Sequence, residues 1–161
     1  REAFLRRVDD RLAQQHAVAD PRPFAILFID LNDFKHINDS FGHDVGDKVL
    51  QEIARRMLGG LRSRDMVARY AGDEFVVMLD AVHNRHDAES ARSKLEHLLE
   101  TPLLSLAPTA TGARAGAAVG LAIYPDDGQD VESLLQCSDA DMYRRKQARQ
   151  TARRKASGSL G

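Results

Sequence analysis

Three acidic side chains in this sequence sit where a chain can present them to a ligand. Asp30 ends the apolar run Phe24-Ala25-Ile26-Leu27-Phe28-Ile29, and Asp73-Glu74 fall between two short strand-like runs, Met66 to Tyr70 and Phe75 to Leu79. A carboxylate at a strand end or turn tip is reachable by solvent, held by the backbone, and suited to the hard cation Mg²⁺. If the strand and the hairpin are neighbours in one sheet, the two acidic points meet at one edge. Metal-assisted phosphoryl or nucleotidyl transfer needs that layout. Acidic residues are also common in turns for conformational reasons alone.

The elements that must hold these residues are visible in the periodicity. Phe4, Leu5, Val8 and Leu12 share one helical face, and the Asp20-Pro21-Arg22-Pro23 breaker ends that segment. Phe24 to Ile29 has strand length and is apolar throughout, as a strand buried on both faces should be. A polar segment, Asn32 to Asp39, follows; Gly42 and Gly46 bracket a turn. A second helix carries Val49, Leu50, Ile53, Met57 and Leu58 on one face, with Asp47 in its first turn and Gly59-Gly60 at its end. The four residues Ala71-Gly72-Asp73-Glu74 suit a hairpin connection. A third helix is expected from about Asp87 to Glu100, with Pro102 beyond it, then a small-residue strand from Ala113 to Ile123. Asp130 can cap a last helix bearing Val131, Leu134, Leu135, Cys137, Ser138 and Met142. A hairpin inside this order argues for one sheet covered by helices rather than a Rossmann-type alternation.

Composition narrows the function classes. The 161 residues suffice for one domain with a full core, and 43% hydrophobic with 29% charged residues is ordinary for a globular chain. A net charge of −1 gives no overall electrostatic reason to expect nucleic acid or an anionic membrane as partner. The longest apolar runs are far short of the roughly 18 residues a membrane helix needs. Cys137 is the single cysteine, which excludes a disulfide framework within one chain. The chain opens at Arg1, which reads as a piece of a longer protein in a reducing, cytoplasmic setting.

The segment Asp30-Leu31-Asn32-Asp33-Phe34-Lys35-His36-Ile37-Asn38-Asp39-Ser40-Phe41-Gly42-His43-Asp44-Val45-Gly46-Asp47, followed by Arg69-Tyr70-Ala71-Gly72-Asp73-Glu74-Phe75, resembles the GGDEF family of diguanylate cyclases. Gly120 to Pro125 and Ser138-Asp139-Ala140-Asp141-Met142-Tyr143 resemble its later signature segments. The resemblance runs from the first helix to about Gln150, implying a GGDEF-type domain over residues 1–150 and a basic, flexible tail or linker over 151–161. It implies an α+β fold with a palm-like (nucleotidyl cyclase or ferredoxin-like) central mixed antiparallel sheet flanked by helices. The implied activity is condensation of two GTP into cyclic dimeric GMP with release of pyrophosphate, by a homodimer in which each copy holds one GTP. The expected setting is the cytoplasm, as one domain of a larger signalling protein, with no nucleic acid and no membrane contact by this domain.

Residue by residue, the resemblance implies that Asp30 and Asp73 hold Mg²⁺ or Mn²⁺, with the Leu31 carbonyl as a further ligand. Glu74 would bind metal too, or help activate the attacking ribose hydroxyl. Asn38 and Asp47 would read guanine, since a carboxylate accepts from its N–H groups and an amide both donates and accepts. Phe34 and Lys35 lie between these groups, Lys35 suiting a phosphate, and Gly72 would let the backbone approach the phosphates. Arg62-Ser63-Arg64-Asp65 has the family's RxxD form, which in relatives is an inhibitory product-binding site; alternatively it is a surface ion pair past a helix end.

Two positions depart from the family pattern. Ala71 stands for the first glycine, and a β-carbon there would cost about 1–2 kcal/mol if the backbone needed positive φ. Lys146 is retained among the basic groups that grip the triphosphate, but Arg149 and Gln150 stand where Gly-Arg is common. Arg149 would substitute from roughly 100° round the helix. These departures leave an alternative: a catalytically degenerate domain that binds GTP or cyclic dimeric GMP and regulates an attached domain. The basic run from Arg144 to Lys155 otherwise reads as a solvated helix running into a linker. His83 and His86 lie three apart without a clear third metal ligand, His36 and His43 read as loop residues near the nucleotide, and Cys137 as core.

Overall fold

The structure, a computed structural model, describes residues 1–101 and 116–158. In chain order it contains α1 (Glu2–His16), β1 (Phe24–Leu31), α2 (Phe34–Phe41), α3 (His43–Gly60), β2 (Met66–Ala71), β3 (Glu74–Leu79), α4 (Arg85–Glu100), β4 (Ala117–Tyr124) and α5 (Val131–Gly158). The four strands form one sheet in the order β2-β3-β1-β4, and all three pairings are antiparallel. This is the expected α+β, palm-like architecture.

Strand β1 lies inside the sheet, which is why its sequence is apolar at every position up to Asp30. Its two-residue period divides it between two cores. Ala25, Leu27, Ile29 and Leu31 pack with Val49, Ile53 and Met57 of α3 and Leu95 and Leu99 of α4. Phe24, Ile26 and Phe28 pack with Phe4, Val8 and Leu12 of α1 and Leu134 and Met142 of α5. The small residues of β4 have a related cause. A β-carbon on Gly120 would lie 2.0 Å from the Ser138 carbonyl oxygen and 2.2 Å from the Met142 nitrogen, so α5 rests directly on the strand backbone.

Among the described residues β4 is the outer strand beside β1, and side chains take three of its backbone groups. Asp141 accepts from the Leu121 N–H (3.0 Å), Asp127 accepts from the Ile123 N–H (2.8 Å), and Arg149 donates to the Ala117 carbonyl (2.9 Å).

The structure differs from the sequence reading in several places. The polar segment after β1 is a helix, α2, entered through Asp33 in the left-handed region (φ 58°). Only Ile37 of α2 is buried, too little apolar surface to stand out in a count, although Phe34, Ile37 and Phe41 do fall at helical spacing. The turn before α3 is Gly42 alone (φ 85°); Gly46 lies inside α3, so Asp44 rather than Asp47 occupies its first turn. Helix α4 begins at Arg85 because the Asn84 side chain caps it, accepting from the Asp87 N–H at 2.9 Å. The expected Asp130 cap is present, its carboxylate accepting from the Ser133 N–H at 2.7 Å. Helix α5 runs on to Gly158, so residues 151–158 are helical where a flexible tail was expected. Strand β4 starts at Ala117; Ala113 to Ala115, the Pro102 stop and Ser159 to Gly161 lie outside the described residues.

Candidate functional site

The sheet meets the condition that the acidic residues imposed. Asp30 faces Glu74 in the β1–β3 register, and the Leu31 N–H donates to the Asp73 carbonyl at 3.3 Å. The end of β1 and the tip of the β2–β3 hairpin are thus one edge. The tip is a two-residue turn, Gly72-Asp73, in which Gly72 takes φ +46°, and Arg69 clasps it by donating from Nε to the Gly72 carbonyl at 2.7 Å. Among the described non-glycine residues only Asp33 has positive φ, so Ala71, which follows a bulge in β2, needs no left-handed backbone and its exposed methyl costs no such strain.

Charge at this edge is unbalanced. Burial pushes the Glu74 carboxyl above its usual range, and the negative charges of Asp30, Asp139 and Asp73 push it further, against the pull of Lys146. Asp139 was missed as a site residue; its signal was the Ser138-to-Tyr143 segment, which the sequence placed on α5 without a direction. Lys146, also on α5, reaches across to Asp30 with Nζ 2.7 Å from Oδ1. Among the described residues no three acidic, histidine or cysteine side chains are already gathered round one point. The donor set nevertheless fits a hard divalent cation, being all carboxylate oxygen with an excess of negative charge.

Beside this edge, α2 packs on α3 at Gly46. Asn38 Oδ1 is buried without a hydrogen-bond partner, an arrangement that costs free energy unless a donor arrives. It lies on Gly46: a β-carbon there would come 1.8 Å from Asn38 Oδ1 and 3.3 Å from the Phe34 ring. Asp47 is the next residue and is exposed, as are Lys35 and His36 on α2 and His43 at the start of α3. The structure therefore brings Phe34, Asn38 and the Gly46-Asp47 step together.

Lys146 and Arg149 part company. A recess of about 500 Å³ is lined by Asn32, Asp33, Gly116, Lys146, Arg149 and Gln150. Lys146 leads from it to Asp30, whereas the Arg149 guanidinium is occupied by the Ala117 carbonyl, Glu100 (2.9 Å) and Glu96 (3.2 Å). Long-range partners of this kind leave no mark in local sequence.

Arg62 and Asp65 lie at the far end of β3. Asp65 accepts from the Arg62 N–H at 2.9 Å and from the Asp80 N–H at 3.1 Å, so its carboxylate braces two main-chain segments instead of forming the simple surface ion pair. Both residues line a second recess of about 640 Å³, which His83, His86 and Lys94 line as well. His83 Nδ1 is 3.1 Å from Asp87.

Comparison with known proteins agrees with this fold. The family model described as diguanylate cyclase, GGDEF domain, matches residues 1–152. The chain is 40% identical over 141 residues to the bifunctional diguanylate cyclase/cyclic di-GMP phosphodiesterase MucR of Pseudomonas aeruginosa, covering 86% of this chain and 20% of that protein. It is 38% identical over 122 residues to the cyclic di-GMP phosphodiesterase NbdA of the same organism, covering 76% of this chain and 15% of that one. The crystal structure of the GGDEF domain of TpbB (YfiN), also from P. aeruginosa, superposes with a TM-score of 0.81 at 33% identity, covering 91% of this chain and 89% of that one. The chain spans a fifth or less of the length of MucR and NbdA.

Proposed function

The chain belongs to the GGDEF family of diguanylate cyclase domains, and from that premise we propose that residues 1–150 condense two GTP into cyclic dimeric GMP with release of pyrophosphate. The observation that carries this reading is the acidic edge, where Asp30 faces Glu74 across the ladder and Asp73 occupies the turn tip. Asp30 and Asp73, with the Leu31 carbonyl, would hold Mg²⁺ or Mn²⁺, and Glu74 would either join them or act as a base. When bound, the cation supplies Lewis-acid stabilisation of the phosphoryl charge and lowers the pKa of the attacking hydroxyl.

The remaining work falls to the protein. The Asn38 amide would read guanine beside Gly46, Asp47 would accept from a guanine N–H, and Phe34 would border the base. Lys35 and Lys146 meet the phosphates, and Gly72 leaves room for them at the turn. Glu74, with its raised proton affinity, suits a base that takes the ribose hydroxyl proton as that oxygen bonds to the α-phosphorus and pyrophosphate departs. Each copy holds one GTP, so turnover requires two copies facing one another. Arg62 and Asp65 would bind the product and inhibit. The setting is cytoplasmic, within a larger signalling protein; among the described residues no helix is long and apolar enough to cross a membrane.

One observation favours a second reading, a degenerate domain that binds GTP or cyclic dimeric GMP and regulates an attached domain. Arg149 is engaged by Glu96, Glu100 and Ala117, and Gln150 is neutral, which leaves the triphosphate fewer cations. Incubation of concentrated protein with GTP and Mg²⁺, beside Asp73→Asn, separates the two. Cyclic dimeric GMP detected by mass spectrometry with the parent and absent with the variant is expected. Nucleotide binding without product would establish the regulator instead.

A further inference from the structure

Lys146 stands between two places. Its ammonium pairs with Asp30 at 2.7 Å, at 30% and 15% side-chain exposure, and its side chain also lines the recess beside Asn32, Asp33 and Gly116. Arg149, one turn on, cannot share either task, since its guanidinium is spread over Ala117, Glu96 and Glu100. An ammonium and a divalent cation on one carboxylate draw on the same negative charge and repel one another at close range. The Asp30–Lys146 pair and a divalent cation on Asp30 therefore disfavour one another.

We infer that Lys146 is a placeholder cation, holding Asp30 in position until a divalent ion takes that carboxylate and thereby releasing its own ammonium into the recess, where an anionic phosphate chain is received. The inference rests on the reading of the acidic edge as a metal site. It makes metal and nucleotide binding mutually reinforcing: each favours the state in which Lys146 has left Asp30, and such coupling is reciprocal. A lysine serves this better than an arginine, being a compact point charge on a flexible stem rather than a fixed fork.

The test uses the 161-residue chain without nucleotide, titrated with Mn²⁺ at constant ionic strength and followed by the electron paramagnetic resonance of the free ion. Lys146→Met should bind Mn²⁺ about three- to tenfold more tightly than the parent, the worth of one partly buried ion pair. Arg144→Gln removes the same charge two residues away without touching Asp30, and should change affinity by less than about twofold. A gain in Lys146→Met no larger than in Arg144→Gln would overturn the inference while leaving the metal site standing. No Mn²⁺ binding by any of the three would overturn the metal reading along with it. Should Lys146→Met not fold, the parent alone decides by ¹⁵N spectroscopy of lysine ammonium groups. Added Mg²⁺ should speed solvent exchange of the Lys146 protons, and unchanged exchange at saturating Mg²⁺ would overturn the inference.

Discussion

Strand β3 has acidic residues at both ends, and the fold treats them in opposite ways. At the far end, about 20 Å along the strand from Glu74, Asp65 accepts two backbone N–H groups, while Asp80 pairs with Arg11 and with Arg7. At the near end, Glu74 is held above its usual range by burial and by the charges of Asp30, Asp139 and Asp73. Carboxylates with their donors in place bind the fold together. Carboxylates crowded against one another cost stability until a positive charge neutralises them.

The largest effect should come from the near end. Glu74→Gln is expected to lower the rate of cyclic dimeric GMP formation by at least about 100-fold, the range for loss of an acid–base group. Its melting temperature at pH 7 should equal or exceed the parent's, because a repelled charge is gone. A clear loss of stability would mean that this end is braced like the other one. Asp65→Ala should do the reverse. It leaves the N–H groups of Arg62 and Asp80 without their acceptor and should cost about 1–3 kcal/mol in a denaturant melt. Turnover per folded molecule should persist, and inhibition by added product should weaken.

The smallest effect is the dependence on pH. Because Glu74 holds its proton more tightly in the folded than in the unfolded chain, its contribution to stability is present below the usual glutamate range and is lost as pH rises through the raised value. The melting-temperature advantage of Glu74→Gln over the parent should therefore widen from pH 4 upward. Glu52 supplies the opposite sign. Hydrogen bonds from Arg55 and Arg56 hold it at about 2, so its contribution is present above the ordinary range and is lost as pH falls toward that value. Replacing it by glutamine should narrow the gap to the parent in acid, as read in the same melts.

How legible these features are in sequence depends on how local their causes are. Asp30 was identifiable because it interrupts an apolar run, and Asp73-Glu74 because four residues between strand-like runs make a hairpin; strand pairing did the rest. Helix α2 was hidden because a single buried residue, Ile37, carries its packing and because its entry through Asp33 uses a backbone conformation that composition does not announce. The diversion of Arg149 to Glu96, Glu100 and Ala117, and the approach of Asp139 to Glu74, arise between residues tens of positions apart. No local rule reports such pairs. The neutrality of the Ala71 substitution could be decided only from its backbone angle.

The covering of β4 has a consequence for how copies of this chain can meet. With Asp141, Asp127 and Arg149 occupying the Leu121 and Ile123 N–H groups and the Ala117 carbonyl, that margin offers fewer backbone groups for a second sheet to zip onto. A strand from another copy would have to break those three bonds before it could pair there. The Arg149 guanidinium thus shields part of a sheet edge.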